Sequence, residues 1–96
     1  MDMPARKRHV LIVDDEPANI RMLGETLKND YHISVATNGT QALERMRAAD
    51  ELDLILLDVQ MPGLSGYDVC KIMRADAALS QTPVIFITAL SADEDE

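Results

Sequence analysis

Oxygen-bearing side chains follow three short apolar runs of this 96-residue chain. Asp14 and Asp15 come after the first run, and Asp58 comes after the third. Thr88 follows the fourth run. Two carboxylates about 4 Å apart repel by about 4 kcal/mol at an effective dielectric of about 20, so a fold that gathers such acids needs compensation. Mg²⁺ is held by one or two carboxylates with carbonyls, waters and phosphate oxygens, so the pattern favours a magnesium site beside a hydroxyl.

Each of these side chains also has a purely structural interpretation. An Asp or Thr that directly follows a strand often caps the next helix through its side-chain oxygen. Taken one at a time, Asp14, Asp15 and Thr88 fit that role as well as a ligand role. The choice between the two interpretations depends on whether the surrounding elements bring these residues to one place.

Short apolar runs alternate with amphipathic segments along the chain. The runs cover residues 10–13, 33–36, 54–57 and 84–87. Runs that are apolar on both faces are typical of parallel strands covered on both sides. Helical patterns begin at Pro17, after the Asn38-Gly39 turn and after the Gly63 to Gly66 loop,. The order β-α-β-α-β-α-β predicts a doubly wound α/β fold with right-handed crossovers and strand order 2-1-3-4.

That strand order places the acids together. In order 2-1-3-4 the winding direction reverses between strands 1 and 3, and doubly wound sheets bind ligands beyond the carboxyl ends of the strands at that point. We therefore expect Asp14, Asp15 and Asp58 to meet in one crevice, with Thr88 on the next strand. Their joint placement favours a functional site over separate helix caps.

The composition argues against several other kinds of protein. A hydrophobic content of 47% with 3% aromatics predicts an ordered, aliphatic core,. Cys70, His9 and His32 supply neither a disulfide pair nor a zinc ribbon,. Nine basic and 17 acidic residues give a net charge of −8, which disfavours direct nucleic-acid binding,. No apolar stretch approaches the roughly 20 residues of a membrane span, so we expect no membrane segment and a cytoplasmic location.

Three segments at the strand ends carry a resemblance to a known family. They read IVDDEP at 12–17, LLDVQMPG at 56–63 and PVIFITA at 83–89. Their residue types and mutual spacing resemble the receiver domain of two-component response regulators, from about His9 to the end of the chain. The resemblance implies a flavodoxin-like fold and a regulatory domain rather than an enzyme.

The resemblance also implies a role for each site residue. Asp58 would accept a phosphoryl group from a phosphohistidine of a sensor histidine kinase or a phosphotransfer protein. Asp15 would bind Mg²⁺ directly, Asp14 would assist through water, and the backbone carbonyl of Gln60 would complete the protein ligands. Thr88 would contact a phosphoryl oxygen. An aspartyl-phosphate phosphatase would need a second acid where Gln60 stands.

The family pattern sets the expected domain limits. We expect a flexible basic segment at residues 1–8 and a receiver domain at 9–96 that is incomplete at its C-terminus, because the fifth strand, its Lys and the last helices of the family are absent from the sequence. Strand 4 would then be an exposed apolar edge through which the chain could self-associate. An alternative function is therefore a receiver-like protein-interaction module that does not complete phosphorylation-dependent switching.

Overall fold

Four parallel strands alternate with three helices in the computed structural model, which describes residues 7–87. In chain order the elements are β1 (Arg8–Val13), α1 (Pro17–Leu27), β2 (Tyr31–Ala36), α2 (Gly39–Ala48), β3 (Leu54–Asp58), α3 (Gly66–Arg74) and β4 (Val84–Ile87). The predicted order of elements is confirmed. Thr88, which carries one of the expected roles, lies outside the described residues.

The strands form one parallel sheet in the order β2-β1-β3-β4, as predicted. Val13 of β1 lies opposite Ala36 of β2 on one side and Leu57 of β3 on the other. Asp58 at the end of β3 lies opposite Ile87 of β4. The carboxyl ends of β1 and β3 therefore lie side by side at the same end of the sheet.

Helices cover both faces of the sheet because successive strand residues point to opposite sides. On one face the side chains of Leu11, Val13 and Leu57 pack with the apolar residues of α2 and α3. On the other face Val10 and Ile12 pack against α1, whose contact residues are Ile20, Leu23 and Leu27. Fully burying an aliphatic side chain of this size contributes about 1.5–3 kcal/mol, so these two layers hold the strand ends in place.

Two strand boundaries differ from the sequence-based expectation. β1 begins at Arg8, inside the segment that we expected to be flexible, and Arg8 pairs with Tyr31. β2 begins at Tyr31, two residues before the predicted run, and His32 pairs with His9. The stacked rings of these two histidines, with centroids 4.4 Å apart, accompany the longer ladder. Backbone hydrogen bonds between the two strands therefore extend both of them towards the N-terminus, to residues that precede the apolar runs.

No helix within residues 7–87 combines the length and the apolarity that crossing a bilayer requires.

Helix α3 begins with a capping box. The Ser65 hydroxyl accepts a hydrogen bond from the Asp68 N–H at 3.1 Å, and the Asp68 carboxylate accepts one from the Ser65 N–H at 3.0 Å. These bonds satisfy backbone donors that the first turn of a helix leaves unpaired. The bond from the Ser65 N–H lowers the pKa of Asp68, and the Ser65 hydroxyl lowers it further. The box fixes where α3 starts, next to the end of β3.

Ser65→Ala is expected to lower the free energy of unfolding by about 1 kcal/mol, the usual cost of losing an N-cap side chain. Chemical denaturation measures the loss. Ser80→Ala is the matched control, because the Ser80 hydroxyl makes only a long 3.5 Å contact with the Ala77 carbonyl. Equal stability of the two serine variants would contradict the capping role.

Because the pKa of Asp68 is lowered, Asp68→Asn should lower the stability of the fold at pH 7 and should lower it progressively less below about pH 4,.

Candidate metal centre

Three carboxylates converge at the carboxyl ends of β1 and β3. Each of Asp14, Asp15 and Asp58 offers an oxygen, and these oxygens all lie within 4.8 Å of one another. Asp14 directly follows β1 and Asp58 ends β3, so the pairing of Val13 with Leu57 brings the two acids side by side. The predicted convergence is confirmed, and we call these three residues the acidic pocket.

The backbone and a neighbouring amide hold Asp14 in the acidic pocket. Its side chain is 3% exposed, and its Oδ1 accepts a hydrogen bond from the Glu16 N–H at 2.9 Å. Its Oδ2 accepts one from Asn19 Nδ2 at 3.2 Å. The Asp14 N–H itself donates to the Ala36 carbonyl at 3.1 Å, which continues the β1–β2 ladder. Asp14 is therefore fixed in position, whereas Asp15 beside it is exposed.

Asp58 is the buried acid of the neighbouring strand. It is 4% exposed, and its Oδ1 accepts a hydrogen bond from the Gln60 N–H at 3.3 Å. Burial raises the pKa of Asp58, and the negative charges of Asp14 and Asp15 raise it further. The Gln60 N–H opposes this shift because it stabilises the ionised form,. The net shift is upwards, so burial and the two neighbouring charges outweigh the hydrogen bond from the Gln60 N–H.

A glycine allows α3 to start against the backbone of Asp58. The Gly66 N–H donates to the Val59 carbonyl at 2.9 Å. A Cβ atom at position 66 would overlap the Asp58 carbonyl oxygen and would lie 2.9 Å from Val59 Cα. The absence of a side chain at Gly66 therefore sets how closely the loop after β3 returns to the acidic pocket.

The donor atoms of the acidic pocket fit Mg²⁺. Within residues 7–87 these acids are the one group of three or more candidate ligands close enough to share a metal ion. All three offer hard carboxylate oxygens, the ligand type that Mg²⁺ prefers over the softer sulfur and imidazole donors. The raised pKa of Asp58, caused first by burial and then by the charges of Asp14 and Asp15, is the second sign of fit, because a divalent cation would stabilise the ionised carboxylate,.

Two residues of this region escaped the sequence motifs. Asn19 lies in the first turn of what sequence predicts as an ordinary amphipathic helix, and its spacing of five residues from Asp14 is the sole signal for a contact. Gly66 ends a loop whose glycines are typical of any turn. Gln60, by contrast, was expected at the site, and the structure places its N–H on Asp58.

Comparisons with known proteins agree with this geometry. The sequence model of the response regulator receiver domain matches residues 10–96. The response regulator PleD of Caulobacter vibrioides is 44% identical over 87 residues, which are 90% of this chain and 19% of PleD. The chain thus spans about a fifth of the length of the first curated relatives that it matches.

Solved structures show the same fold. The chemotaxis protein CheY4 of Vibrio cholerae superposes with a TM-score of 0.82 at 30% identity, over 94% of this chain and 75% of that one. The response regulator protein TrrA of Thermotoga maritima, solved in complex with Mg²⁺-BeF, superposes with a TM-score of 0.78 at 34% identity, over 93% of this chain and 76% of that one. The chain belongs to the response regulator receiver domain family, the regulatory domains of two-component signal transduction systems.

Proposed function

We propose that Asp58 is the phosphoacceptor of this receiver domain and that its donor is a phosphohistidine on a sensor histidine kinase or a phosphotransfer protein. One observation carries the proposal: Asp58 is a buried carboxylate at the end of β3, with the oxygens of two further acids within 4.8 Å. In this proposal the domain is regulatory rather than enzymatic, acts in the cytoplasm and binds no nucleic acid itself. Its body covers the expected residues 9–96 together with Arg8, with which β1 begins, and it follows a basic N-terminal segment.

The proposed step is a nucleophilic displacement at phosphorus. A carboxylate oxygen of Asp58 attacks in line, the P–N bond of the phosphohistidine breaks, and the imidazole leaves with the bonding electron pair and takes up a proton. The product is an acyl phosphate on Asp58. The Gln60 N–H on Oδ1 holds the plane of the carboxylate, so the attacking group is oriented before the donor arrives,.

We assign Mg²⁺ to the acidic pocket, with Asp15 and Asp58 as direct ligands and the backbone carbonyl of Gln60 as a third. Asp14 would act through water, because hydrogen bonds from Glu16 and Asn19 already occupy both of its oxygens. When bound, Mg²⁺ supplies positive charge for the phosphoryl oxygens. We expect Thr88 to donate to a phosphoryl oxygen, and this role stays a prediction because Thr88 lies outside the described residues.

Treating the chain with acetyl phosphate and Mg²⁺ is expected to add one phosphoryl group, measured as a shift in intact mass. Asp58→Asn should abolish the adduct, because an amide oxygen is a poor nucleophile and cannot form the acyl phosphate. Removing Mg²⁺ with EDTA should suppress labelling of the unaltered chain, since the charge on the incoming phosphoryl group is then uncompensated.

Asp30→Asn is the matched control for the labelling experiment. Asp30 is exposed in the turn between α1 and β2, at the opposite end of the sheet from the acidic pocket. The control makes the same chemical change as Asp58→Asn and should label like the unaltered chain. A phosphoryl group that persists in Asp58→Asn would refute the assignment of the phosphoacceptor.

An exposed apolar surface on β4 supports a second candidate, a receiver-like module that binds another protein without phosphoryl transfer. Ile85 is 51% exposed, and Phe86 is 40% exposed and lies against Tyr67, with ring centroids 5.1 Å apart. Within residues 7–87, β4 pairs with β3 alone, so its other edge presents backbone donors and acceptors,. A chain that self-associates but takes no phosphoryl group in the labelling experiment would favour this candidate.

A further inference from the structure

Asn19 of α1 contacts the acidic pocket although it belongs to no strand-end motif. Its Nδ2 donates to Asp14 Oδ2 at 3.2 Å, and the side chain is half-buried. The other oxygen of Asp14 accepts the Glu16 N–H at 2.9 Å. Each oxygen of this buried carboxylate therefore has its own protein donor, and the pair of bonds fixes the rotation of the carboxylate group.

The start of α1 determines where the Asn19 amide points. The Glu16 carbonyl accepts hydrogen bonds from the Asn19 N–H at 3.1 Å and from the Ile20 N–H at 3.2 Å. Pro17 occupies the first turn with a backbone angle that suits it,. The helix thus begins directly after the acids of β1, and its first turns bring Asn19 back towards Asp14.

The chemistry of an amide suits a group that supports a cation site. A Lys or Arg beside Asp14 would also hold the carboxylate, but its full charge would neutralise the pocket and compete with a bound cation. The Asn19 amide donates a hydrogen bond without a net charge. It therefore orients Asp14 while the three carboxylates keep the negative charge that attracts Mg²⁺.

We propose that Asn19 is a positioning residue of the metal centre, which holds the Asp14 carboxylate in the orientation that Mg²⁺ binding uses and thereby sets the affinity for Mg²⁺. This inference rests on the proposed function, in which Mg²⁺ binds in the acidic pocket. Groups that hydrogen-bond the carboxylates around a metal commonly change its affinity 10–100-fold when they are removed. Within residues 7–87, Asn19 makes one of the two hydrogen bonds to the Asp14 side chain, so the lower end of that range applies.

Asn19→Ala is expected to raise the Kd for Mg²⁺ about tenfold in calorimetric titration of the 96-residue chain,. Asn29→Ala is the matched control, because Asn29 is exposed in the turn after α1 and the substitution is the same. The control should bind Mg²⁺ like the unaltered chain. Circular dichroism without Mg²⁺ checks that both variants are folded.

A second readout reports on Asn19 without any substitution. The chain has three asparagines, so their side-chain amide signals in a ¹⁵N–¹H NMR spectrum can be assigned individually. Saturation with Mg²⁺ should shift the signals of Asn19 and leave those of Asn29 and Asn38 in place. A residue that only stabilised the start of α1 would alter thermal unfolding and would leave the Mg²⁺ affinity unchanged.

The outcomes separate this inference from the proposed function. An unaltered chain that binds no Mg²⁺ would overturn both. Weaker binding by Asp58→Asn together with unchanged binding by Asn19→Ala would leave the metal site in place and overturn the positioning role of Asn19. If Asn19→Ala is unfolded, the NMR readout decides, and an Asn19 amide that Mg²⁺ does not shift overturns the inference.

Discussion

Gly66→Ala is expected to destabilise the fold by about 1–3 kcal/mol and to disturb the acidic pocket at the same time. The added methyl group would overlap the carbonyl oxygen of Asp58 and would lie 2.9 Å from Val59 Cα and 3.0 Å from the carbonyl carbon of Asp58. These are backbone atoms, which cannot rotate away as the end of a flexible side chain can. Relief therefore requires α3 to move outwards or the end of β3 to shift, and either movement displaces Asp58.

Gly24→Ala is the matched control for this prediction. A Cβ atom at Gly24 would meet nothing within 4 Å, and the residue lies inside α1. Alanine there should leave stability unchanged or raise it by up to about 1 kcal/mol, because glycine is a poor helix former. Chemical denaturation compares the two variants, and acetyl phosphate labelling tests the pocket. A Gly66→Ala variant as stable and as readily labelled as Gly24→Ala would show that the close approach is unimportant.

Asp58→Asn is expected to stabilise the metal-free chain by about 1–2 kcal/mol at neutral pH while it removes the proposed function. In the unaltered chain the Asp58 carboxylate is buried beside two other acids, and its pKa is raised chiefly by burial and then by the charge of Asp14. An asparagine removes this charge and keeps an oxygen for the Gln60 N–H. Its amide nitrogen can also donate towards Asp15, which has an oxygen within 4.8 Å of Asp58.

The pH dependence of this effect has a definite sign. Because the pKa of Asp58 is higher in the folded chain than the 3.8 of an unperturbed carboxyl, the folded state holds its proton more tightly than the unfolded state does,. The unaltered chain therefore loses stability as the pH rises from about 4 through the folded pKa. The advantage of Asp58→Asn should be small near pH 4, should grow across that window and should then stay constant.

Magnesium should make the unaltered chain more stable than Asp58→Asn, which reverses their order in the metal-free state. Mg²⁺ at about 100 times its Kd would stabilise the unaltered chain by about 2.7 kcal/mol, and it should stabilise Asp58→Asn much less. Thermal or urea unfolding in EDTA and in Mg²⁺, over a range of pH, measures both effects. Asp30→Asn, an exposed substitution of the same kind, should follow the unaltered chain throughout. An Asp58→Asn variant that is less stable than the unaltered chain in EDTA at pH 7 would contradict the prediction.

Sequence alone was sufficient for the topology and for the convergence of the acids. The β-branched run that ends at Val13 and the leucine-rich run before Asp58 are apolar on both faces, and such runs are stable only in a sheet covered on both sides,. Short crossovers of one hand leave few ways to order four strands. Once β1 and β3 are parallel neighbours, their carboxyl ends lie at the same end of the sheet. That end must then hold Asp14, Asp15 and Asp58.

Side-chain patterns were less informative about where the strands begin. Tyr31, His32 and Arg8 are not typical members of an apolar run, yet they extend β2 and β1. Their inclusion depends on the backbone hydrogen bonds between the two strands, which form whatever the side chains are. Strand length was therefore decided by the pairing of β1 with β2 and not by hydrophobic periodicity.

The contacts that hold the acidic pocket in place were decided by tertiary structure alone. The bond from Asn19 to Asp14 depends on the angle at which α1 leaves the sheet, and that angle follows from how its apolar face packs on β1 and β2. The need for glycine at Gly66 depends on how close α3 comes to Asp58. Sequence motifs identify residues that carry charge and lie at strand ends, because chain order and strand period determine both. A hydrogen bond or a steric limit between elements depends on distances of a few tenths of an ångström, which only the packed structure defines.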